Sequence, residues 1–499
     1  MILFISDTFR EVLYMNLKKL IHGLDIIEIT GNLDINIDNI ANDSRKVSNN
    51  SIFIAITGFQ FDGHDYIQQA IKKGAKAVIV EKNVITEENI TIIKVENTRK
   101  ALANISNIYY NNPSKEFNLI GVTGTNGKTS TTYFINSILE KVGHKVGIIG
   151  TLGSKVNNEI SKTSNTTPDS LQLQKIFYSM KESKIEDCIM EVSSHSLDLN
   201  RVEYSDFNIG IFTNLSPEHL DFHKTIENYM NAKLKLFFMT NKCNIINYDD
   251  KYGKKMIDKI QNLDTDIITY GIYDGDVKAI NIKQSVRGTK FCLDTKKDSI
   301  DIEMKTPGIF NIYNALAAAS SAIAMGIDLD TIKQGLEAID GVKGRFEVVS
   351  IGKPFDVIID FAHSPDAFEN VLKTVKEFAK GRIITVFGCG GDRDKKKRPL
   401  MGEIASKYSD LCILTSDNSR SEKTIDIISE IAEGVEKHSV EYMKVPNRRE
   451  AINIALQKAK PKDIIMILGK GHETYQIIDG KTYPFDEAKI VKEYARKLD

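Results

Sequence analysis

The sequence has few cysteines, and their spacing excludes the patterns that usually form disulfides or bind metal. None of the five stands in a Cys-x-x-Cys pair, and they lie far apart in the chain. The spacing therefore predicts neither a disulfide framework nor a zinc knuckle. A reduced, cytoplasmic compartment suits such a set. The five are Cys188, Cys243, Cys292, Cys389 and Cys412.

Long apolar runs and an excess of one charge are also lacking. No apolar run approaches the roughly 20 residues of a membrane-spanning helix, so we expect no membrane association. The 66 Lys and Arg residues nearly cancel the 67 Asp and Glu residues. This balance argues against the basic stripe of a nucleic-acid-binding protein. An anionic ligand would therefore need a local cluster of basic residues.

The first residues lack the features of an export signal. Residues 1–14 are mildly apolar but contain Asp7 and Glu11, without a basic front or a small-residue cleavage site. Met15 opens a more ordinary start, because Leu17 and two lysines follow it closely. We therefore expect residues 1–14 to be a dispensable extension.

The order of the apolar runs predicts an α/β protein of about three domains. Residues 1–97 hold short apolar runs and one helical stretch, which indicates a small α/β N-terminal domain. In residues 98–342, strands alternate with helices and predict a mostly parallel sheet of the P-loop ATPase type. The alternation restarts after Gly344, so residues 343–499 are expected to form a Rossmann-like domain.

A glycine-rich loop follows the predicted strand Asn118–Val122 and precedes a predicted helix, Thr129–Val142. The strict phosphate-loop pattern requires glycine at the position of Val122, so that pattern is not met. Glycines still let backbone N–H groups face an anion, and the helix N-terminus adds partial positive charge. Lys128 can neutralise phosphate oxygens and Thr129 can ligate Mg²⁺, whereas the alternative is an ordinary glycine turn. The predicted phosphate-binding residues are Gly124, Thr125, Asn126, Gly127, Lys128, Thr129 and Ser130.

Acidic and imidazole side chains follow two further predicted strands. Glu191 ends the run that begins at Cys188, at the sheet edge where α/β proteins bind ligands, and is a candidate ligand of Mg²⁺. His219 and His223 follow the strand Ile209–Phe212 and are candidate metal ligands. Alternatively, Glu191 is a solvated acid at the end of a strand, and the histidines are structural. The residues alone do not decide between these interpretations and metal binding.

Lys233 lies on the apolar face of a predicted helix over residues 225–239. At a helical turn of about 100° per residue, Tyr229 and Phe237 fall on the same side and Lys235 points away. A bare ammonium group on such a face is costly unless it is paired. Lys233 can extend to solvent, be held by anions, or become a carbamate that binds Mg²⁺. The helical pattern by itself favours extension to solvent.

A long, ordered series of short motifs runs through the chain from Asp43 to Glu473. The motifs are Asp43-Ser44-Arg45, Gly124–Thr129, Asn165-Thr166-Thr167, Glu191-Val192-Ser193-Ser194-His195, His219-Leu220-Asp221, Ala232-Lys233, Gly344-Arg345-Phe346-Glu347, Asp360-Phe361-Ala362-His363-Ser364-Pro365-Asp366, Gly391-Asp392-Arg393-Asp394 and Gly469-Lys470-Gly471-His472-Glu473. The series resembles that of the Mur ligases, the ATP-dependent amino-acid ligases of peptidoglycan precursor synthesis. The resemblance implies a ligase that joins a diamino acid to UDP-N-acetylmuramoyl-L-alanyl-D-glutamate.

The resemblance also implies catalytic and metal-binding roles. Lys128, Lys233, His219 and Glu191 would be catalytic. Thr129 and Glu191 would ligate one Mg²⁺, and His219 would serve a second together with a carbamylated Lys233. This implication replaces the solvent-extended interpretation of Lys233. Further ATP contacts would come from Asn311, Asn314, Arg345 and Asp360.

The two other substrates would bind in the first and last domains as well as beside the phosphate loop. By resemblance, the UDP-muramoyl dipeptide would contact Ser44, Phe59, Gln60, Phe61, Thr166, Thr167, Ser193 and Arg201. The incoming amino acid would contact Arg393, Asp417, Asn418, Ser419, Arg420, Gly469 and Glu473. Because the substrates spread over three domains, we expect domain closure before chemistry.

The implied reaction activates a carboxylate, which is a poor acyl donor. ATP converts the D-glutamyl γ-carboxylate to an acyl phosphate while Lys128 and Mg²⁺ absorb negative charge. The amine then attacks, phosphate leaves and an amide remains. ATP and Mg²⁺ are thus the expected cofactors, small molecules are the expected partners, and we expect a monomer.

One motif departs from the family pattern. Meso-diaminopimelate enzymes of the family read Asp-Asn-Pro-Arg where this chain has Asp417-Asn418-Ser419-Arg420. The planar fork of Arg420 suits the distal carboxylate of a diamino diacid, a group that L-lysine lacks. We therefore expect meso-diaminopimelate, with L-lysine or another diamino acid as the alternative. The missing proline loosens the backbone of the loop.

Two other functions fit parts of the sequence. Folylpolyglutamate synthetase shares the ligase core but lacks a UDP-binding first domain, so residues 1–97, Arg393 and Arg420 argue against it. A non-catalytic nucleotide-binding scaffold is expected to lose catalytic lysines, yet Lys128 and Lys233 are both present.

Overall fold

The computed structural model describes residues 14–86, 89–157 and 159–498. The expected extension, residues 1–14, lies outside the described residues apart from Tyr14, whose side chain is exposed. Three α/β units follow one another along the chain, each with its own sheet and apolar core. The predicted fold class is therefore confirmed.

The first unit contains a five-stranded sheet. Its elements are β1 (Met15–Asn16), α1 (Leu17–Leu20), β2 (Ile26–Thr30), β3 (Asn36–Ile37), β4 (Asn39–Ala41), β5 (Ser51–Ile54), α2 (Ile67–Lys72), β6 (Ala75–Val80), β7 (Thr91–Val95) and α3 (Thr98–Tyr109). The strand order is β2-β7-β6-β5-β4, and β2 alone among these five runs antiparallel to its neighbour. Leu102 and Ile105 of α3 pack into the same core as Ile52 and Ile79. The expected domain limits at residues 97 and 342 stay a prediction.

The central unit contains an eleven-stranded sheet. Its elements are β8 (Asn118–Thr123), α4 (Lys128–Val142), β9 (Val146–Gly150), β10 (Gly153–Val156), β11 (Glu159–Ser161), α5 (Ser170–Glu182), β12 (Asp187–Glu191), α6 (Ser194–Asp198), β13 (Phe207–Phe212), α7 (Leu220–His223), α8 (Ile226–Leu234), β14 (Thr240–Asn247), α9 (Lys251–Ile260), β15 (Asp266–Gly271), β16 (Val277–Ser285), β17 (Gly288–Thr295), β18 (Ser299–Met304), α10 (Ile309–Ala324) and α11 (Leu329–Ala338). The order is β11-β10-β9-β12-β8-β13-β14-β15-β16-β17-β18. The strands from β9 to β16 in this order are parallel, which confirms the mostly parallel sheet.

The register of three neighbouring strands brings the predicted site together. Glu191 of β12 pairs with Val122 of β8, and Phe212 of β13 pairs with Thr123 of β8. The carboxyl ends of the three strands therefore meet at one edge, where α/β sheets bind ligands. The loops that follow them carry the glycine-rich segment, the Glu191 motif and the histidine motif.

The third unit is a six-stranded sheet with helices on both faces. Its elements are β19 (Glu347–Val348), β20 (Asp356–Asp360), α12 (Pro365–Phe378), β21 (Ile383–Phe387), α13 (Lys397–Tyr408), β22 (Leu411–Leu414), α14 (Thr424–Val435), β23 (Glu441–Lys444), α15 (Arg448–Lys458), β24 (Ile464–Leu468), β25 (Tyr475–Ile478), β26 (Lys481–Pro484) and α16 (Glu487–Ala495). The order is β19-β20-β24-β21-β22-β23, parallel except for β19, and β25 and β26 form a separate hairpin. The predicted doubly wound architecture is thus present. Across the described ranges, every helix is too short or too polar to cross a membrane.

Candidate active site

The glycine-rich loop between β8 and α4 curls tightly because two of its glycines adopt a positive φ. Gly124 has φ +151° and Gly127 has φ +87°, backbone angles that residues with a side chain rarely adopt. A Cβ on Gly124 would collide with the hydroxyl of Thr213, and one on Gly127 would collide with the amide oxygen of Asn314. Both positions therefore require glycine.

The segment after β13 holds this loop from the other side. The N–H of Thr125 donates to Asn214 O at 2.8 Å, and the N–H of Asn126 donates to Asn214 Oδ1 at 2.9 Å. Thr213 Oγ1 donates to Asn126 O at 2.6 Å. Ser130 is buried in the first turn of α4. Protein contacts alone thus shape the loop at the N-terminus of a helix, which is a favourable place for an anion.

Two lysines converge on one carbonyl oxygen of the loop. Lys128 Nζ donates to Gly124 O and to Thr125 O, both at 2.8 Å, and Lys233 Nζ donates to Gly124 O at 2.7 Å. Burial lowers the pKa of Lys128. Burial and the charge of Lys128 hold the pKa of Lys233 well below its ordinary value. The crowding therefore favours a neutral amine at Lys233.

The surroundings of Lys233 decide against extension to solvent. Only 1% of its surface is exposed, and its Nζ lies 4.4 Å from the centroid of the Tyr229 ring. The solvent-extended interpretation is therefore wrong, because the helix face packs against the loop. The expected helix to residue 239 is also too long, since α8 ends at Leu234 and a 3-10 turn, Lys235–Phe238, follows. Lys235 itself is half-exposed, as expected.

Strand β12 places Glu191 beside the first turn of α4. Thr129 Oγ1 donates to Glu191 Oε1 at 3.0 Å, and Thr151 donates to the same carboxylate from its N–H at 2.8 Å and its Oγ1 at 3.0 Å. Glu191 is only 2% exposed, so it is not a solvated strand-end acid. Its carboxylate and the Thr129 hydroxyl are hard oxygen ligands, which suit Mg²⁺. Within the described ranges, no three His, Cys, Asp or Glu residues form a metal site, so water or ligand oxygens would have to complete the coordination of an ion here.

Three imidazole rings and Phe222 cluster in the segments that follow β12 and β13. The ring centroid of His195 lies 4.8 Å from that of His219, 5.4 Å from that of His223 and 4.3 Å from that of Phe222. His223 is buried with Nε2 at 2.9 Å from Ser194 Oγ, a structural contact. His219 keeps 47% of its side chain exposed, so it is the candidate ligand whose ring stays accessible. Burial lowers the pKa of His195 to about 4 and also lowers that of His219, so both rings are neutral near pH 7.

Glu218 is an acid that the sequence patterns did not single out. Its carboxylate lies 4.0 Å from Nε2 of His219 in the central unit and 4.0 Å from Nε2 of His363 in the third unit. Its charge raises the pKa of Lys128 and of Lys233, against the larger effect of burial. The sequence feature that could have indicated Glu218 is its position next to His219, in a loop that follows a predicted strand.

The residues expected to hold the muramoyl dipeptide line the same edge of the sheet. Thr167 Oγ1 donates to the carbonyl that ends β12 at 2.8 Å and to Ser193 Oγ at 3.3 Å. Arg201 Nη1 donates to Thr167 O at 3.1 Å. The hydroxyls of Thr166 and Thr151 lie 3.1 Å apart. The structure thus brings these predicted residues together.

The remaining predicted dipeptide-binding residues belong to the first unit. Ser44 is buried and donates to Gln69 Oε1 at 2.7 Å. The turn 59–61 presents two phenylalanines that are 76% and 70% exposed. The ring of Phe59 meets that of Phe222 edge-on at 5.9 Å, so the turn reaches the histidine cluster of the central unit.

Arg345 of the third unit reaches the phosphate loop. Its Nη2 donates to Thr129 Oγ1 at 3.3 Å, and its guanidinium lies 4.6 Å from the centroid of the Phe361 ring. Its Nε is buried without a hydrogen-bond partner among the described residues, which leaves a donor for an anion. Asn126 of the loop donates to Asp366 Oδ2 at 3.1 Å, a second contact between these units.

The other predicted ATP residues differ in their distance from the loop. Asn314 Nδ2 donates to Asn311 Oδ1 at 3.3 Å, and Asn314 Oδ1 accepts from Thr131 of α4. Asp360 accepts the N–H groups of Phe346 and Ala362 at 2.6 and 2.7 Å, and burial raises the pKa of its carboxyl. Asp360 thus orders its own unit, whereas the asparagines border the loop directly.

The predicted amino-acid-binding residues gather after β21, β22 and β24. Asn418 Nδ2 donates to Glu473 Oε2 at 2.9 Å. Lys470, which belongs to a quoted motif but had no assigned role, is fully buried there. Its Nζ donates to the same Glu473 oxygen at 2.8 Å and to Asn418 Oδ1 at 3.1 Å. Gly469 adopts φ +115°, and a Cβ there would lie 2.7 Å from Asp417 Oδ2, so both its backbone and its surroundings favour glycine.

Two arginines flank this group. Arg420 adopts φ +51°, and its Nη1 donates to Gly391 O at 2.7 Å. A Cβ built on Gly390 would lie 3.0 Å from Arg420 Nη1 and 3.7 Å from Arg393 Cγ. Ser419 is 1% exposed, and its hydroxyl has no partner among the residues that the structure describes. The third unit therefore offers two guanidinium groups and one carboxylate to a zwitterionic ligand.

The sequence matches three family models in succession. These describe the Mur ligase family catalytic domain over residues 36–110, the Mur ligase middle domain over 122–322, and the Mur ligase glutamate ligase domain over 344–471. A UDP-N-acetylmuramoyl-L-alanyl-D-glutamate–2,6-diaminopimelate ligase of Clostridioides difficile (strain 630) is 49% identical, over 97% of this chain and 100% of that protein. A protein of the same name from Alkaliphilus metalliredigens (strain QYMF) is 47% identical, over 97% of this chain and 98% of its own.

Solved structures show the same arrangement. A structure of a UDP-N-acetylmuramoyl-L-alanyl-D-glutamate–2,6-diaminopimelate ligase aligns with a TM-score of 0.71 and 31% identity, over 97% of this chain and 99% of that one. MurF ligase of Thermotoga maritima in complex with ADP aligns at 0.64 and 19% identity, over 92% of this chain and 97% of its own. A Mycobacterium tuberculosis folylpolyglutamate synthase aligns at 0.62 and 15% identity, over 74% of this chain and 92% of its own. The last two similarities concern the fold alone.

Gly124→Ala is expected to weaken ADP binding at least about 100-fold, because the new Cβ collides with Thr213 and displaces the loop from its binding geometry. Isothermal titration calorimetry with ADP measures the change. Gly143→Ala at the other end of α4 is the control, since it also changes a glycine with positive φ but meets nothing within 4 Å. Equal ADP affinity in both variants would contradict the assigned role of the loop.

Proposed function

The chain belongs to the Mur ligase family, and from this premise we propose that it joins meso-diaminopimelate to UDP-N-acetylmuramoyl-L-alanyl-D-glutamate with hydrolysis of ATP to ADP and phosphate. One observation carries the proposal: Thr129 of the phosphate loop bonds both Glu191 of the central sheet and Arg345 of the third unit. A nucleotide held there would lie between the residues for the other two substrates. The names of the similar full-length proteins support the choice of amino acid.

Nucleotide binding rests on the loop and its two asparagine neighbours. The backbone of Gly124–Ser130 would surround the phosphates, with Asn311 and Asn314 beside it and Asp360 behind Arg345. Lys128 Nζ, which donates to two loop carbonyls, would turn to the phosphate oxygens. The unpaired Nε of Arg345 would supply a further donor to the negative charge that develops there.

Magnesium fits the oxygen ligands at this edge of the sheet. When bound, it would draw charge from the phosphate oxygens during transfer. Thr129 and Glu191 would hold one ion. His219, together with a carbamate on Lys233, would hold a second. The neutral amine favoured at Lys233 is the form that combines with CO₂, so its burial beside Lys128 supports this modification.

The dipeptide and the amino acid would approach from opposite units. Ser44 and the turn 59–61 would bind the UDP part, and Thr166, Thr167, Ser193 and Arg201 would bind the muramoyl dipeptide. Its γ-carboxylate would become an acyl phosphate, which the amine attacks with release of phosphate. The arginines would bind carboxylates of the amino acid, and Glu473 would accept hydrogen bonds from its ammonium group. The residues proposed for this amino-acid site are Arg393, Asp417, Asn418, Ser419, Arg420, Gly469 and Glu473.

The positions of the proposed binding residues also assign one substrate to each part of the chain. We assign UDP binding to residues 1–97, ATP binding to 98–342 and amino-acid binding to 343–499. A cytoplasmic location agrees with the five free cysteines and with the need for ATP, and we also propose that the chain acts as a monomer.

Phosphate release from ATP tests the reaction directly. We expect release only when both the UDP-muramoyl dipeptide and meso-diaminopimelate are present, with L-lysine supporting little turnover. A coupled assay for inorganic phosphate, with each substrate omitted in turn, measures this. Phosphate release that does not depend on either substrate would contradict the ligase assignment. Release with the dipeptide and L-lysine, but not with meso-diaminopimelate, would contradict the choice of amino acid. Activity with a folate and glutamate instead would favour folylpolyglutamate synthetase.

Arg420→Ala is expected to raise the KM for meso-diaminopimelate about 10- to 100-fold, because a charged hydrogen bond to the distal carboxylate is lost. The KM for ATP should stay within about twofold of wild type, since Arg420 lies outside the proposed nucleotide site. Steady-state kinetics with each substrate varied separately give both values. Arg496→Ala, which removes an exposed arginine of α16's C-terminal end, is the control. An unchanged KM for meso-diaminopimelate in Arg420→Ala would refute the assignment.

Lys233→Ala is expected to abolish turnover and to remove a carbamate signal that ¹³C NMR detects after incubation with ¹³C-bicarbonate. Because burial lowers the pKa of Lys233, the reactive neutral amine persists to lower pH than in an ordinary lysine. The signal should therefore persist to lower pH than the carbamate of an exposed lysine would. Lys235→Ala, which changes a half-exposed lysine two positions on, should keep both signal and activity. An active wild-type enzyme without the signal would exclude the modification.

A further inference from the structure

A buried ion pair lies beneath the amino-acid-binding loops of the third unit. Arg448 begins α15 and Glu487 begins α16, and each is 1% exposed. Arg448 Nε donates to Glu487 Oε1 at 2.7 Å. A buried pair of this kind adds little net stability compared with apolar side chains of similar size. The remaining hydrogen-bond donors of Arg448 indicate whether this residue has a role other than stability.

The other two nitrogens of Arg448 bond the ends of two strands. Nη1 donates to Ser416 O at 3.1 Å, just after β22, and Nη2 donates to Leu468 O at 2.8 Å, the last carbonyl of β24. Asp417 follows Ser416 directly, and Gly469 follows Leu468 directly. One rigid, planar guanidinium thus sets the separation of the two loops that carry the amino-acid site.

The separation of those loops is tightly constrained on the ligand side. The loop after β22 carries Asn418, and the loop after β24 carries Lys470 and Glu473. The three side chains meet at 2.8 to 3.1 Å. A shift of either loop would break this geometry, and mispositioning by about 1 Å can cost an enzyme about 100-fold in activity. Burial raises the pKa of Glu487, the charge of Arg448 lowers it, and the charges of Lys470 and Asp417 act on it in opposite directions, so Glu487 lies near this group.

We propose that Arg448 is a positioning residue for amino-acid binding, which holds the loops after β22 and β24 in register from below and is itself oriented by Glu487. The proposal deepens the function given above and rests on it for the identity of the amino acid. Arg448 has no contact with the phosphate loop or the dipeptide residues among its hydrogen bonds to the described chain. Its effect should therefore be confined to one substrate.

Arg448→Lys tests the proposal, because lysine keeps the charge but loses the three-way fork. We expect the KM for meso-diaminopimelate to rise at least about tenfold, while the KM values for ATP and the UDP-muramoyl dipeptide stay within about twofold. Glu487→Gln keeps the acceptor oxygen and should raise the same KM by about two- to fivefold. Initial rates with each substrate varied in turn, and melting temperatures by differential scanning fluorimetry, measure the split.

Arg382→Lys is the matched control. Arg382 also bonds a carboxylate, that of Asp463 at 2.7 Å, and a backbone carbonyl, that of Lys458 at 2.8 Å. It does so at the opposite, amino ends of β21 and β24, away from the loops. We expect Arg382→Lys to lower the melting temperature without changing the KM for the amino acid.

The outcomes separate this proposal from the proposed function. If the wild-type enzyme does not turn over with meso-diaminopimelate, the proposed function is wrong. The positioning role of Arg448 is then tested by the effect of Arg448→Lys on the KM for the amino acid that the enzyme does accept. If wild-type enzyme is active and Arg448→Lys raises all three KM values alike, or none, the positioning role is overturned. Should Arg448→Lys fail to fold, Glu487→Gln decides: an unchanged amino-acid KM there overturns the proposal.

Discussion

The carbonyl oxygen of Gly124 accepts hydrogen bonds from both Lys128 and Lys233, and the charges of the site are arranged around this contact. Placing two ammonium groups on one buried oxygen is energetically unfavourable. Burial and the charge of Lys128 therefore lower the pKa of Lys233. Glu191 and Glu218 provide the negative charge that offsets the remaining cation. The result is a buried site in which the charge of Lys128 is balanced by nearby carboxylates, and we propose that nucleotide phosphates and Mg²⁺ bind there.

Contacts between units decide which side chains reach this centre. Arg345 and Asp366 connect the third unit to the phosphate loop, and the Phe59–Phe222 contact connects the first unit to the histidine cluster. Each contact is a single hydrogen bond or ring pair, which is weak compared with the packing inside a unit. Apolar packing also joins the units, since Leu171 packs against the core of the first unit and Phe310 against that of the third. The expected domain closure stays a prediction.

A buried polar network holds the proposed amino-acid site. Lys470 lies between Glu473 and Asn418. Ser419 takes the place of the proline found in similar enzymes. Among the described residues, the backbone N–H of Ser419 donates no hydrogen bond, so either residue fits this position without loss of a bond. The substitution therefore leaves the placement of Arg420 to its own bonds and to the hairpin that follows.

Local patterns in the sequence determined the α/β class, the strand–loop–helix around Gly124, and the anomaly of a lysine on an apolar helix face, because periodicity and glycine placement act over a few residues. The motif series added the residues that we propose for all three substrate sites. Only the tertiary structure showed that Lys233 contacts Gly124, that His223 is buried while His219 is accessible, and that Glu218, Lys470 and Arg448 lie beside the proposed sites. Those roles depend on contacts between residues far apart in the chain, such as the 109 positions between Gly124 and Lys233, which no local pattern encodes.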